Sequence, residues 1–352
     1  MQTQERCRRC ILPTTFPGIT FNGEGVCNLC SSYAPRPALG EEKLREILSR
    51  QTGTSYDCIV PLSGGKDSTY ILYYAVKILA LRVIAVNYDS GFQSELAVEN
   101  QKRACEILHV PLVVHKPDFP KRVAVLKEVL RIANIVGVPF GVCRNCETSL
   151  RAVSAQVAKA HNVPTILWGA SQVENVPPVN FTGVRGLIKR AGIAELAQLL
   201  KPLVRCTAIW VYERRQLGLS MRYICNPFKA IPFPSGGVKF VHFFDYIPWA
   251  SMDKEELLGK EVGWHHPKDR LDRFDCLLHP LDNYKWLRET GITKDGYLYS
   301  NMIRAGAMTR ENALICEQIL EERLRQECYE FVQRFGYESL GVDWLRPGTS
   351  GR

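Results

Sequence analysis

Between Cys58 and Asp89 the chain falls into three blocks. CIVPL is a short uninterrupted apolar run of the kind buried in a parallel sheet. STYILYYAVKILA places its apolar residues at helical spacing, and LRVIAVNYD is a second apolar run rich in β-branched residues. That order predicts a β-α-β unit. Further on, the stretch after Cys146 reads as a helix to about His161, and VPTILWGAS as a strand ending at Trp168 and Gly169. IAELAQLLKPLVRC reads as an amphipathic helix, and NMIRAGAMTRENALICEQILEERLRQECYEFVQRFG as a helical hairpin with Thr309 as N-cap and Glu311 in the first turn. The aromatic stretch from Phe233 to Trp264 lacks a period and is expected to form a lid or substrate wall. Its Gly236 and Gly237 pair, with no helix behind it, reads as a turn. The pattern predicts an α/β fold with a Rossmann-like parallel sheet. We divide the chain into an N-terminal module and linker helix (1–50), a nucleotide domain (51–225) and a mostly helical C-terminal region (226–352).

The first thirty residues follow a different pattern. Cys7, Cys10, Cys27 and Cys30 form two C-x2-C pairs sixteen residues apart, separated by Pro- and Gly-punctuated β-prone pieces. Two thiolate pairs in tight turns converge on one tetrahedral Zn²⁺, with an iron–sulfur site or free thiols as the alternatives. Four thiolates leave no open coordination position, so this zinc knuckle is expected to hold a short segment folded or to dock a partner, and the chemistry is expected elsewhere.

At the carboxyl end of the first strand, the loop SGGKDS opens the following helix. Free N–H groups and the helix dipole favour an anion there, and Gly64 and Gly65 let backbone approach a phosphate. Ser63 and Ser68 add hydroxyls and Lys66 adds a charge. The G-x4-G-K-[ST] spacing of a Walker A loop is absent. The hexapeptide in its strand–loop–helix setting resembles the signature of the PP-loop ATP pyrophosphatases, the adenine nucleotide α-hydrolase group. The resemblance implies that Ser63, Gly64, Gly65, Lys66 and Ser68 hold the pyrophosphate end of ATP and that Asp67 helps hold Mg²⁺, while a substrate oxygen attacks the α-phosphorus. It further implies that Asp89 and Ser90, at the end of the second strand, and Gly169 approach the nucleotide. Ligands of open α/β sheets bind outside the strands' carboxyl ends, so these loops are expected to meet at one crevice.

A second cysteine set, Cys143 and Cys146 in VCRNC, precedes the helix that runs to about His161. Three readings stay open: a [4Fe–4S] cluster with a third cysteine, a thiol pair for persulfide or redox chemistry, or a second zinc. Cys276, set among polar groups in DRLDRFDCLLHPLD, is the preferred third ligand and Cys225 the other candidate. Cys58, Cys105, Cys206, Cys316 and Cys328 fall in apolar patterns and read as buried thiols. His242, His265, His266 and His279 are candidates for phosphate binding or proton transfer, with a structural role the simpler reading. Arg304 and Arg310 are weak phosphate candidates.

Over most of its length the chain resembles the N-acetyl sugar amidotransferases of bacterial surface-glycan pathways. The resemblance rests on CRRCILPTTFPGITFNGEGVCNLC, SGGKDS with NYDSGFQSELAVEN, CRNC, LWGAS and IRAGAMTRENAL. It implies adenylation of an acetamido oxygen on a nucleotide sugar and its replacement by ammonia from a glutaminase partner. WGAS stands where WGE is expected, and the setting of Cys276 suits a metal site that ammonia transfer does not need. The enzyme alternative is a [4Fe–4S] sulfurtransferase acting on tRNA or a small metabolite, with the cluster on Cys143, Cys146 and Cys276. The non-enzyme alternative is a zinc-bearing, ATP-binding adaptor. A formal charge of +9 favours anionic partners without choosing among them. The sequence shows no apolar run long enough to span a membrane and no signal-peptide core, so a cytoplasmic location without membrane contact is expected.

Overall fold

Five short strands, β1 (Cys58–Pro61), β2 (Val83–Tyr88), β3 (Leu112–His115), β4 (Thr165–Trp168) and β5 (Lys239–His242), build one sheet in the order β3-β2-β1-β4-β5. All four pairings are parallel, with Cys58 opposite Val83 and Ile59 opposite Ile166. The structure, a computed structural model, describes residues 5–49, 55–136, 142–170, 204–205, 208, 237–249, 254–268, 270 and 272–336.

Both faces of the sheet are covered, which is why its strands read as continuous apolar runs. Side chains alternate across the pleat. Cys58, Val60 and Leu62 join one core with α2 (Glu41–Ser49), α3 (Lys66–Tyr73) and α4 (Glu95–Ile107). Ile59, Ile84 and Val86 join the opposite core with Ala152, Val153, Ala155 and Ala158. Those four alanine and valine positions lie on α6 (Val142–Ala160), which follows α5 (Phe119–Val136). The first core is completed by Leu258 and Val262 of α7 (Lys254–Val262). This is a Rossmann-like α/β fold with the strand order reversing between β1 and β4, the point where such sheets open a crevice.

The C-terminal region is helical: α8 (His279–Thr290), α9 (Lys294–Arg304) and α10 (Arg310–Phe335). Thr293 caps α9 by accepting from Gly296 N at 2.8 Å, and Thr309 caps α10 by accepting from Asn312 N at 3.2 Å. The expected hairpin is therefore α9 and α10. Its partner in packing is the N-terminal module, which contains the short α1 (Asn28–Ser31). Phe16 stacks on Tyr297 with centroids 5.4 Å apart and lies 6.3 Å from the Trp286 ring.

Three local expectations change. The stretch read as a lid supplies β5 and a 3-10 turn (Phe243–Asp245); four residues with polar ends are too few to show a period. The helix after the loop begins at Lys66 and passes into a π-helical turn over Tyr74–Ile78. Cys143 and Cys146 lie inside the first two turns of α6 rather than before it. Gly237 is in a turn with φ +97°, while Gly236, Cys206, Cys225 and most of 193–206 lie outside the described residues. No helix among the described residues is long and apolar enough to cross a membrane.

Candidate active site

The SGGKDS loop leaves β1 at the switch point and turns directly into α3. Gly64 takes φ +82°, and a Cβ there would stand 2.1 Å from the Ala97 carbonyl oxygen. Its own carbonyl accepts from Trp264 Nε1 at 2.9 Å, and the Ser63 carbonyl accepts from Gln101 Nε2 at 2.8 Å. Inside the loop, the Ser63 and Ser68 hydroxyls lie 3.1 Å apart, and Ser68 Oγ accepts from Ser63 N at 3.2 Å. The turn is thus fixed from α4 and from the end of α7, with backbone N–H groups at the amino end of a helix and two hydroxyls together. That arrangement suits a phosphate.

The charged side chains of the loop meet α7. Lys66 Nζ pairs with Glu255 at 2.9 Å in an exposed ion pair. Asp67 accepts from Lys254 Nζ at 3.0 Å and from Trp249 Nε1 at 3.1 Å. Lys254 is buried, with its ammonium over the rings of Tyr70, Phe244 and Trp249. Asp89, just past β2, accepts from Gly91 N at 2.9 Å and pairs with Lys116 at 3.3 Å, while Ser90 is buried. Gly169 follows β4, and a Cβ there would lie 3.0 Å from Ile71 Cδ1, on the helix that the loop opens. The SGGKDS loop, Asp89, Ser90 and Gly169 thus lie just past the carboxyl ends of β1, β2 and β4.

The second cysteine set gathers on the flank of this loop. Residues 275–277 run antiparallel to 92–94: Gln93 bridges Cys276, Ser94 N donates to the Asp275 carbonyl at 3.2 Å, and Leu277 N donates to the Phe92 carbonyl at 2.7 Å. Successive side chains on such a segment point to opposite sides. Asp275 faces the loop, with Oδ2 3.3 Å from where a Gly65 Cβ would stand. Cys276 lies among Cys143 and Cys146, whose charges, after burial itself, push its thiol well up. Arg122, buried under Tyr88, donates from Nη2 to Cys146 Sγ at 2.9 Å. The three thiols are set more widely than the N-terminal four, whose sulfurs all lie within 4.8 Å of one another.

Behind Cys143 lies a buried polar network. His279 Nε2 and the Asp295 carboxylate are 2.7 Å apart, and Asn283 contacts both. Lys294 pairs with Asp282 at 2.7 Å. Burial opposes charge on His279, but the Asp295 carboxylate outweighs it and, with the Cys143 thiol beside the ring, pushes the group up to about 10. Of the other histidines, His265 exchanges backbone hydrogen bonds with the Asn100 amide, His266 packs edge-on against Phe274, and His242 ends β5.

In the N-terminal group, Cys7 and Cys30 sulfurs lie 3.9 Å apart and those of Cys10 and Cys27 3.8 Å apart, all four buried. A tetrahedral ion with metal–sulfur bonds of about 2.3 Å sets its sulfurs about 3.8 Å apart, so these four fit one metal ion. Arg304 and Arg310 belong to this site and not to a phosphate. Arg310 Nε donates to the Cys7 and Cys10 carbonyls at 3.2 and 2.9 Å, and Arg304 Nη1 lies 3.8 Å from Cys30 Sγ.

Comparison with known proteins adds a sequence link. A segment of 94 residues is 33% identical to the tRNA(Ile)-lysidine synthase of Buchnera aphidicola, covering 25% of this chain and 21% of that protein. With the loop and the parallel sheet, this points to the PP-loop ATPase superfamily. An uncharacterized protein of Methanocaldococcus jannaschii is 24% identical over 143 residues, 35% of this chain and 52% of its own. The chain therefore spans between a fifth and about half of the length of these relatives. Among solved structures, the U34-tRNA thiolase NcsA of Methanococcus maripaludis with its [4Fe–4S] cluster aligns at 15% identity and a TM-score of 0.34, over 91% of this chain and 89% of that one. No family model matches.

Long separations along the chain explain why some residues at the site escape sequence reading. Asp275 and Arg273 were visible only as polar neighbours of Cys276. Arg122 and Lys254 carry no local signal, because their partners Cys146 and Asp67 lie 24 and 187 residues away.

Proposed function

We propose that this chain is an ATP-consuming sulfurtransferase that adenylates a carbonyl oxygen of a tRNA base and replaces it with sulfur. One observation carries the reading. Cys143 and Cys146 from α6 and Cys276 from the 275–277 segment converge beside the phosphate loop, with Asp275 and Cys276 facing opposite sites from adjacent positions. A nucleotide-activating centre and a thiolate group that close together suit activation followed by sulfur attack. The tRNA substrate is supported by the tRNA(Ile)-lysidine synthase likeness and by the net charge of +9.

In this reading the loop's N–H groups, the Ser63 and Ser68 hydroxyls and Lys66 hold the two outer phosphates, with Lys66 leaving its exposed partner Glu255. Asp67 keeps lone pairs for Mg²⁺ beside its bonds to Lys254 and Trp249. Asp89, Ser90 and Gly169 lie toward the nucleoside. The acceptor oxygen bonds to the α-phosphorus as pyrophosphate leaves; a hydrosulfide-level donor then bonds to the activated carbon as AMP departs with that oxygen. No net oxidation occurs. Three neighbouring thiols suit a [4Fe–4S] cluster, which when bound would keep one iron free for sulfide. Arg122 and His279 would orient and offset the charge of those thiolates. The four N-terminal cysteines would hold a structural Zn²⁺.

The test is anaerobic purification with iron and sulfide analysis, followed by incubation with Mg-ATP, sulfide and tRNA lacking base thiolation. Expected are stoichiometric cluster, equal amounts of AMP and a sulfur-for-oxygen nucleoside, and loss of thiolation with retained ATP binding in Cys276→Ser. A cluster-free protein that instead installs ammonia on an N-acetylated sugar nucleotide would replace sulfur by nitrogen. Tight ATP binding without AMP from either acceptor would leave the adaptor reading.

A further inference from the structure

Arg273 stands where the nucleotide site and the cysteine site adjoin. Its Nε and Nη2 fork the Asp275 carboxylate, the latter at 3.0 Å. Asp275 is itself tied to the loop, accepting from the Ser63 hydroxyl. The pair is asymmetric in a telling way. The Asp275 side chain is 4% exposed and the Arg273 side chain 49% exposed, so a buried anchor holds a half-exposed arginine. The fork occupies Nε and Nη2, and among the described residues Nη1 carries no protein hydrogen bond. The charge lies within the fields of Cys143 and Cys276 as well as of Asp275.

A bidentate arginine pair is rigid and directional, and its remaining N–H edge is held ready for an oxyanion without reorganisation. If the outer phosphates sit on the loop and sulfur arrives from the cysteines, the phosphate between them is the inner one. It is bonded first to pyrophosphate and then to the acceptor oxygen, and its charge must be met at both stages. In that reading Lys66 and the loop N–H groups belong to the outer phosphates, and Lys254 is buried among aromatic rings and paired with Asp67.

We propose that Arg273 is a catalytic residue that binds the α-phosphate of ATP, and of the adenylated acceptor made from it, through Nη1. The proposal deepens the sulfurtransferase reading and rests on it for the adenylated acceptor, but the phosphate contact itself is measurable without acceptor or sulfur.

The experiment compares AMP with adenosine by calorimetric titration of the full chain, wild type against Arg273→Gln. A charge-assisted contact is worth about 10-fold or more in affinity. Expected is a loss of about 10-fold in the preference for AMP over adenosine, with adenosine affinity unchanged. The single change leaves Asp275 buried and unpaired, so Arg273→Gln/Asp275→Asn, which removes both charges, should show the same loss. An unchanged AMP preference in the double variant, or equal weakening of adenosine and AMP, overturns the proposal. Absence of sulfur from every product sinks the sulfurtransferase reading and leaves the AMP result standing.

Discussion

At Gly64 the backbone leaves no room for a side chain. A methyl group there meets both a positive φ and the Ala97 carbonyl at 2.1 Å, a backbone atom of α4 that moves only with the helix. Gly64→Ala is expected to destabilise the protein by at least about 2 kcal/mol in urea unfolding and to weaken ATP binding, because the loop must open away from α4. Neighbouring Gly65 is constrained differently. Its Cβ would meet Asp275 Oδ2 at 3.3 Å and the Ser63 hydroxyl at 3.4 Å, both side-chain atoms able to shift. Gly65→Ala should therefore retain more stability than Gly64→Ala, while displacing Asp275 from the loop; equal losses for the two would show that the Ala97 contact is not what limits the turn.

Between elements, the α9–α10 contact contains a titratable joint. Glu317 of α10 is buried and accepts from Thr293 N at 2.8 Å and from the Thr293 hydroxyl at the amino end of α9. Burial outweighs those bonds and pushes its carboxyl up to about 7 from 4.5. The folded state thus holds a proton that the unfolded chain releases, so this stabilisation is complete below about pH 4.5 and is lost as pH rises through about 7. Unfolding free energies measured by urea titration from pH 5 to 8 should fall less steeply in Glu317→Gln than in wild type, by up to about 3 kcal/mol across the range. Parallel curves would refute the joint. Elements differ in how far sequence reveals them. β1, β2 and β4 are legible because each is an uninterrupted buried run ending in Gly, Asp or Ser. β5 is not, because KFVH is an edge strand half covered by neighbours. The C-x2-C spacings announce thiolate sites, but Arg273 with Asp275, and Glu317 with Thr293, become visible only once distant helices are packed.

At the scale of the whole molecule, the N-terminal module and the C-terminal helices share one core of Ile11, Leu12, Phe16, Trp286, Ile292 and Tyr297. Thr15 Oγ1 donates to the Thr290 carbonyl at 2.8 Å, Arg6 pairs with Glu321, and Arg310 binds two cysteine carbonyls. Chelating the metal proposed for the four N-terminal cysteines should lower the thermal midpoint by on the order of 10 °C and raise hydrogen exchange in α8 and α9 as well as in 5–31. Unchanged protection in α8 and α9 would mean that the module only rests on them. Because α8 also carries His279 and Asp282 beside Cys143, loss of the N-terminal ion should loosen the cysteine site too. The same union bears on biosynthesis. Phe16 leaves the ribosome some 270 residues ahead of Trp286, so a nascent chain must carry an uncovered aromatic knob while all of that intervening chain is made. Early loading of the ion would give that knob a rigid seat while its cover is still being made.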